Sequence, residues 1–285
     1  MTRISVVMPV YNGAPYLDEA IKSILNQSFS DFEFIIINDG STDNSREIIE
    51  RHHDPRIKRI NNTENRGVTE SLNKGLQVAV GEFIVRMDSD DFSLPNRFSR
   101  QLSYMDSHPK IGVCGSHVQV MGSQEVWSQP EHPEEVKCRL LLHCCLAHPS
   151  VMFRREILVK HSLQYQASYT HAEDYQLWTQ LSHVTMISNV PEVLLHYRLH
   201  ENQISKSFNT LQAQQAERIQ YEQLMRLGIK PSEEEFCTHL DLCFRNRFSD
   251  PVLKKNWVQK LLKKNLETRV YNQVVFMNVL SDYAK

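Results

Sequence analysis

The sequence predicts an α/β chain built on a doubly wound, Rossmann-like, mostly parallel sheet flanked by helices, followed by a C-terminal helical extension. Three observations carry this. Strand-like runs and helix-like stripes alternate four times in about the first ninety residues, the rhythm of a parallel sheet wound with helices. The first run, Ile4 to Val10, is almost wholly apolar, as a parallel strand covered on both faces requires. After about residue 206 strand signals become few, while helical spacing persists.

The elements follow in order. Asn12-Gly13-Ala14-Pro15 breaks the first strand, and Leu17, Ala20, Ile21, Ile24 and Leu25 then recur at helical spacing. Phe32 to Ile37 is a second strand, ending in the polar run Asn38-Asp39-Gly40-Ser41-Thr42-Asp43, which offers several helix caps. Ile48 and Ile49 belong to a short helix, Asp54-Pro55 turns the chain, and Ile57 to Ile60 is a weaker strand. Asn61 to Gly67 is a polar loop, and Val68, Leu72, Leu76 and Ala79 form the stripe of the next helix. Gly81 ends that helix and opens the strand Glu82 to Arg86. No GxGxxG follows the first strand, which argues against a dinucleotide site of the usual kind.

Beyond residue 91 the pattern is mixed. Phe98, Leu102 and Met105 mark a helix, Ile111 to Met121 an extended stretch, and Pro133 to Cys145 a helix. His148 to Phe153 reads as a strand entered from a bend. Glu173 to Trp178 opens a helix with Trp178 at core spacing, and two short strands, Val184 to Ile187 and Val193 to Tyr197, flank Pro191. Helical spacing then runs over Leu211 to Leu227, Glu233 to Phe248, Pro251 to Leu266 and Arg269 to Tyr283.

Composition narrows the function classes. The 285 residues are 41% hydrophobic and 23% charged, with a net charge of −2. That fits a globular chain with a full core and gives no field favouring nucleic acid. The six cysteines form no CxxC pair and no disulfide framework, which points to a reducing, cytoplasmic setting. The apolar N-terminus is too short for a signal peptide, and no run reaches the length of a membrane span. Any membrane contact is then peripheral, on the inner face.

The chemistry concentrates in Met87-Asp88-Ser89-Asp90-Asp91, three carboxylates within four residues at the end of a buried strand. Open α/β sheets bind ligands beyond the carboxyl ends of their strands. Acids this close repel one another unless a positive group sits among them. Hard cations prefer oxygen, and Mg²⁺ commonly shares one or two carboxylates with a substrate phosphate. The run reads either as a metal–diphosphate site or as an acidic turn capping the helix that starts near Leu94-Pro95.

Six motifs stand in one order along the chain: Pro9-Val10-Tyr11-Asn12-Gly13, Asn38 to Asp43, Asn65-Arg66-Gly67 with Asn73-Lys74-Gly75, Asp88-Ser89-Asp90-Asp91, Glu173-Asp174, and Tyr197-Arg198-Leu199-His200. Over roughly residues 4 to 205 the chain resembles a family 2 glycosyltransferase of the GT-A fold, the inverting, nucleotide-sugar-dependent type. The resemblance implies a catalytic domain over 1–205, with a nucleotide-binding half (1–91) and an acceptor-side half (92–205), and an unmatched helical extension over 206–285. It implies that Pro9 and Tyr11 border the nucleotide and that Asp39 bonds the uracil of a UDP-sugar. A turn aspartate capping the helix after Ser41 is a compatible role for Asp39. Arg66 lies in the loop facing the nucleotide, and Asn73 and Gly75 serve helix packing. Asp88 contacts ribose or the metal shell, and Asp90 ligates Mg²⁺ or Mn²⁺. His200 is a further candidate ligand, and Arg198 a candidate phosphate contact. Asp174 is the implied catalytic base, with Glu173 and His148 on the acceptor side, although acids are ordinarily enriched in a helix's first turn.

The implied partners are a nucleotide-sugar donor and a glycan or lipid-linked acceptor, as in bacterial surface polysaccharide synthesis. A sugar-1-phosphate nucleotidyltransferase is the rival enzyme, but it would carry a basic Gly-rich loop where Tyr11-Asn12-Gly13-Ala14 stands. A non-catalytic nucleotide-sugar binder is the other rival. In the tail, Leu253, Trp257 and Leu261 form a stripe among five lysines. That pattern suits either a helix docked on the domain or one lying on an anionic membrane.

Overall fold

The apolar run at the N-terminus becomes β1 (Ile4–Val10), and all seven of its residues are buried. The computed structural model describes residues 2–201, 203, 209–243 and 250–284. β2 (Phe32–Asp39) and β3 (Ile57–Asn62) extend the parallel sheet on one side of β1, and β4 (Phe83–Arg86) lies on the other. Past β4 the pairing turns antiparallel, to β8 (Met152–Arg154) and then β6 (Ile111–Val120). β9 (Met186–Tyr197) runs parallel to β6, and the two-residue β5 (Phe92–Ser93) closes the edge. The order is β3-β2-β1-β4-β8-β6-β9-β5, with β7 (Val126–Trp127) attached to β6.

Both faces of this sheet are covered, which explains the uninterrupted apolar strands. Val6, Met8 and Val10 pack with Leu17, Ile21 and Ile24 of α1 (Ala14–Leu25) and with Phe98 and Met105 of α4 (Arg97–Ser107). Val7, Ile35 and Ile37 face Leu72 of α3 (Val68–Val78), in the core that also holds Leu177 and Trp178 of α7 (Glu173–Leu181). Gly75 is required by this layering, because a Cβ there would lie 2.4 Å from Val7 Cγ1. Short helices α2 (Ser45–Arg51), α5 (Pro133–Arg139) and α6 (Arg155–His161) complete this part.

Three expectations change. The helix predicted over Pro133 to Cys145 ends at Arg139, because Leu140 belongs to one core and Leu141 and Leu142 to another. The carbonyls freed there are taken by Tyr175 Oη on Leu140 (2.7 Å) and Gln220 Nε2 on Leu142 (2.5 Å). The two short strands around Pro191 are one strand, β9. Val190 stands opposite Ser116 and Val193 opposite His117, so Pro191 and Glu192 occupy a bulge, where a missing N–H breaks no ladder bond. His148 to Ser150 is a 3₁₀ turn leading into β8 rather than part of the strand.

The tail forms α8 (Asn209–Leu227), α9 (Glu233–Cys243), α10 (Pro251–Thr268) and α11 (Gln273–Tyr283) around a core that also takes in Cys138, Leu141 and Leu142. The predicted boundary near 206 and the helical reading over 244–248 lie outside the described residues. α11 starts later than predicted because Arg269 adopts φ 54° and ends α10, after which Asn272 caps the next helix. Trp257 is buried, and its indole N–H donates to His239 Nδ1 at 3.2 Å. Burial pushes His239 down to about 4, so the imidazole is a neutral acceptor. Leu261 is fully buried as well. These two members of the stripe therefore pack inward rather than toward a membrane, and among the described residues no helix is long and apolar enough to cross one. Replacing Trp257 with alanine should cost about 3–5 kcal/mol in urea unfolding and leave binding to anionic vesicles unchanged. A stable variant that loses vesicle binding would reverse this reading of the helix.

Candidate active site at the carboxyl ends of the strands

The loops leaving β1 and β2 are laced together. Asn12, in the left-handed region at φ 51°, accepts from the Thr42 N–H (2.8 Å) and hydroxyl (3.3 Å). Its own N–H donates to Ser41 Oγ (3.1 Å), Gly13 N–H to Ser45 Oγ (2.9 Å), and Ala14 N–H to Asp43 Oδ2 (3.0 Å). The Asn-Gly and Ser-Thr-Asp motifs thus set one composite loop, with Pro9 buried beneath it and Tyr11 49% exposed on it. A Cβ on Gly13 would stand 3.0 Å from Ser89 Oγ, so this loop abuts the acid run.

Asp39 is buried at the end of β2. Its Oδ1 accepts from Asn62 Nδ2 (2.6 Å) and Arg66 N–H (3.0 Å), and its Oδ2 from Gly67 N–H (2.9 Å). It therefore anchors the entry to α3, not the helix after Ser41 as the capping alternative expected. The Arg66 guanidinium, just ahead of α3, reaches Glu70 in the first turn of that helix (3.0 Å). Asn73 does more than pack: its side chain makes a reciprocal pair with the backbone of Tyr165, at 2.8 and 3.0 Å.

Asp88, Asp90 and Asp91 each offer a carboxylate oxygen, all within 4.8 Å of one another. They do not cap the following helix, since α4 begins at Arg97 with no side-chain cap. Burial, then the charges of Asp88 and Asp90, push the Asp91 carboxyl well above the usual range, opposed by Arg198 N–H on its Oδ1 (2.9 Å). Asp91 Oδ2 is buried without a hydrogen-bond partner among the described residues. Burial also raises Asp88, against the pull of Arg86. A set of oxygen donors that repel one another, one with an unmatched buried oxygen, fits a hard divalent cation.

Arg86 was not singled out in the sequence. It is almost fully buried, ion-paired with Asp88, and its Nε has no hydrogen-bond partner among the described residues. Burial works against its charge, but Asp88 outweighs it and holds the guanidinium above its ordinary value. The signal was present: a charged residue closes an otherwise apolar strand run. Arg97, fully buried behind it, donates through Nη2 to the Arg86 carbonyl (2.9 Å).

The last motif crosses the acid run. His200 Nε2 lies 2.8 Å from Asp90 Oδ2, and its ring sits 5.1 Å from that of Tyr16. Arg198 Nε donates to the Asp90 carbonyl (2.8 Å) and Nη2 to Glu19 (2.5 Å).

On the other side, Glu173 and Asp174 open α7. Asp174 is half-buried, and its Oδ1 accepts from the Tyr175 N–H (2.7 Å). Burial raises its carboxyl, while the Tyr175 N–H and the charge of Arg86 pull it back and that of Asp88 adds to the rise. Arg86 and Asp88 at the end of β4 therefore act on Asp174 at the start of α7. Glu173 is buried, its Oε2 has no hydrogen-bond partner among the described residues, and burial together with Asp174 pushes it up to about 7. His148 Nε2 meets Tyr165 Oη at 2.9 Å, and burial with Arg86 nearby holds the imidazole well below its usual value.

Comparison with known proteins gives the family and the fold. The family model described as Glycosyl transferase family 2 matches residues 5–162, more than half of the chain. The chain belongs to glycosyl transferase family 2 and is a glycosyltransferase. It is similar to an uncharacterized glycosyltransferase of Haemophilus influenzae, 33% identical over 78% of this chain and 73% of that one. It is also similar to two Escherichia coli proteins. One is the O-antigen biosynthesis glycosyltransferase WbnJ, 34% identical over 72% of this chain and 82% of that one. The other is the UDP-Glc:alpha-D-GlcNAc-diphosphoundecaprenol beta-1,3-glucosyltransferase WfgD, 28% identical over 72% and 80%. Among solved structures, S. aureus TarS residues 1–349 with UDP aligns at TM-score 0.62 and 18% identity, over 99% of this chain and 91% of that one. The mannosyltransferase PcManGT of Pyrobaculum calidifontis, with GDP-Man and Mn²⁺, aligns at 0.62 and 17%, over 99% and 84%. The fold is GT-A.

The raised Glu173 carboxyl has a consequence for stability. With an ordinary value of 4.5 and a folded value of about 7, the folded chain keeps a proton that the unfolded chain releases. Stability therefore falls as pH rises through that window, by on the order of 3 kcal/mol. Glu173→Gln should remove this loss, so its advantage over the wild type in urea unfolding should grow from pH 5 to pH 8. An advantage that does not change with pH would show that Glu173 does not carry this penalty.

Proposed function

We propose that this chain is a metal-dependent inverting glycosyltransferase that moves a sugar from a UDP-sugar to a hydroxyl of a glycan or lipid-linked glycan, in the assembly of bacterial surface polysaccharide. The observation that carries the proposal is the acid cluster at the end of β4, with Arg86 beneath it and Asp174 within the same field. The UDP in TarS and the UDP-Glc in the name of WfgD support the donor class. The catalytic unit on this reading is residues 1–205, with 206–285 as an extension. The six free thiols accord with a cytoplasmic location, peripheral to the inner face when the acceptor is lipid-linked.

Each residue has a chemical task. Tyr11 stacks beside the base and Pro9 borders it, while Asp39 accepts a base N–H and the Arg66 loop closes over it. Asp88 and Asp90 hold Mg²⁺ or Mn²⁺, with Asp91 behind them and His200 on Asp90. The cation, when bound, neutralises charge on the departing diphosphate. Asp174 receives the proton of the acceptor hydroxyl as its oxygen bonds to the anomeric carbon, while the bond from that carbon to the phosphate oxygen breaks and UDP departs. Its tie to the Tyr175 N–H fixes one oxygen and leaves the other for the proton. Glu173 and His148 shape the acceptor side.

Asp174→Asn should lower transfer by about a hundred- to ten-thousand-fold and leave UDP affinity within about twofold; turnover at the wild-type rate would remove Asp174 as the base. Asp90→Ala should abolish the Mn²⁺-dependent part of UDP binding in calorimetry. Equal UDP binding by that variant, with and without Mn²⁺, would count against a metal–diphosphate site.

A further inference from the structure

We infer that Asn62 and Lys74 set the base preference of the donor site, by occupying one oxygen of Asp39 so that the carboxylate accepts a single further N–H. The inference rests on the reading of Asp39 as the residue that meets the base. A carboxylate has about four lone-pair positions. In Asp39, Oδ1 takes two donors, Asn62 Nδ2 at 2.6 Å and Arg66 N–H at 3.0 Å. Oδ2 takes only Gly67 N–H at 2.9 Å. One acceptor position is left, and it is on Oδ2.

Asn62 cannot turn its amide to release Oδ1. Lys74 Nζ donates to Asn62 Oδ1 at 2.7 Å, and an ammonium has no acceptor to offer an NH₂ group. The opposite end faces a carboxylate, which only accepts. The amide is thus fixed between a cation and an anion, and its NH₂ also reaches Ser71 Oγ at 3.3 Å. Asn62 is buried at the end of β3, and Lys74 is half-buried on α3. These bonds link the Asn-Lys-Gly motif to the Asn-Asp-Gly motif through a strand-end residue neither motif contains.

The chemistry of the bases follows. Uracil presents one N–H between two carbonyls, which a single acceptor position satisfies. Guanine presents two adjacent N–H donors and asks for both oxygens at once, one of which is saturated. Adenine and cytosine set a ring-nitrogen acceptor beside their amino group, which a carboxylate repels. A buried polar site rejects the ligand whose donors it leaves unpaired. Asn62 is here a specificity residue acting through Asp39, and Lys74 acts through Asn62.

The test is calorimetric binding of UDP and GDP, each with Mn²⁺, to the full chain and to Asn62→Leu and Lys74→Met. The wild type should prefer UDP by tenfold or more. Asn62→Leu frees a position on Oδ1 and should shrink that preference about tenfold, mainly by tightening GDP. Lys74→Met lets the amide turn and should shrink it severalfold in the same direction. Its site is half-buried, so it carries the test if Asn62→Leu does not fold. A wild type that prefers UDP, with an unchanged ratio in the folded variants, overturns this inference and leaves the donor reading standing. A wild type that prefers GDP overturns both.

Discussion

The ion pair between Arg86 and Asp88 is the constraint on which the site depends. Five carboxylates (Asp88, Asp90, Asp91, Glu173 and Asp174) gather at the ends of β4 and α7. Arg86 is the buried cation whose charge opposes the rise of four of them, Asp88, Asp91, Glu173 and Asp174. Removing one member of a buried pair costs about 3–5 kcal/mol, because the other is left uncompensated. The Arg86 carbonyl is in turn held by Arg97, itself so enclosed that burial pushes it down to about 9. Even so, one arginine does not balance the cluster. Asp91 keeps an unmatched buried oxygen, and its carboxyl stays well above the usual range. Perturbation of this kind gathers at functional sites, and a cation arriving with a substrate would relieve it.

The loops give that electrostatic site a rigid frame. The β1 exit is bound to the β2 exit and the start of α2 by five hydrogen bonds, four of them using a polar side chain of the two motifs and the fifth Ser45 Oγ. The β2 exit is bound to the α3 entry through Asp39. At Gly40 a Cβ would lie 2.3 Å from the Glu64 carbonyl carbon, and φ there is +67°. Only glycine permits the α3 loop to lie directly on the end of β2 at that position. A preformed frame of this sort lowers the ordering cost of binding.

Much of the first half was legible because strand and helix periods differ and both faces of the sheet are apolar. Ile4–Val10 reads as one buried strand, and strand position places the Asp88 run at a strand end, while the choice between a metal site and a capping turn needed the order of the other motifs. Where sequence reasoning fell short, tertiary contacts decided. The leucines at 140–142 carry helical spacing, yet they end the helix because they serve two cores. Pro191 reads as a break between strands, but β9 absorbs it in a bulge. Trp257 among lysines suits either a docked helix or an interfacial one, and its burial against His239 decides for docking. Within the site, the acids and histidines stood out by type. Arg86 and Asn62 did not, because their importance lies in what they touch across 2 and 23 residues of sequence, respectively.

The C-terminal helices carry no motif, yet they bear on the placement of Asp174. Tyr175 follows Asp174 directly, and its hydroxyl is fixed on the Leu140 carbonyl. The segment after Leu140 is gripped from the tail: Gln220 holds the Leu142 carbonyl, and the Tyr283 hydroxyl lies 2.9 Å from His143 Nδ1. The approach to α7 is held the same way, through Tyr169 on Glu222 (2.9 Å) and Gln212 on the His171 carbonyl (2.8 Å). Asp174 thus sits between a backbone N–H on its own helix and a network that runs into α8 and α11. A general base must be held within hydrogen-bond reach of its proton, and small displacements of a positioned group are costly to rate. The tail therefore helps to fix the position of Asp174.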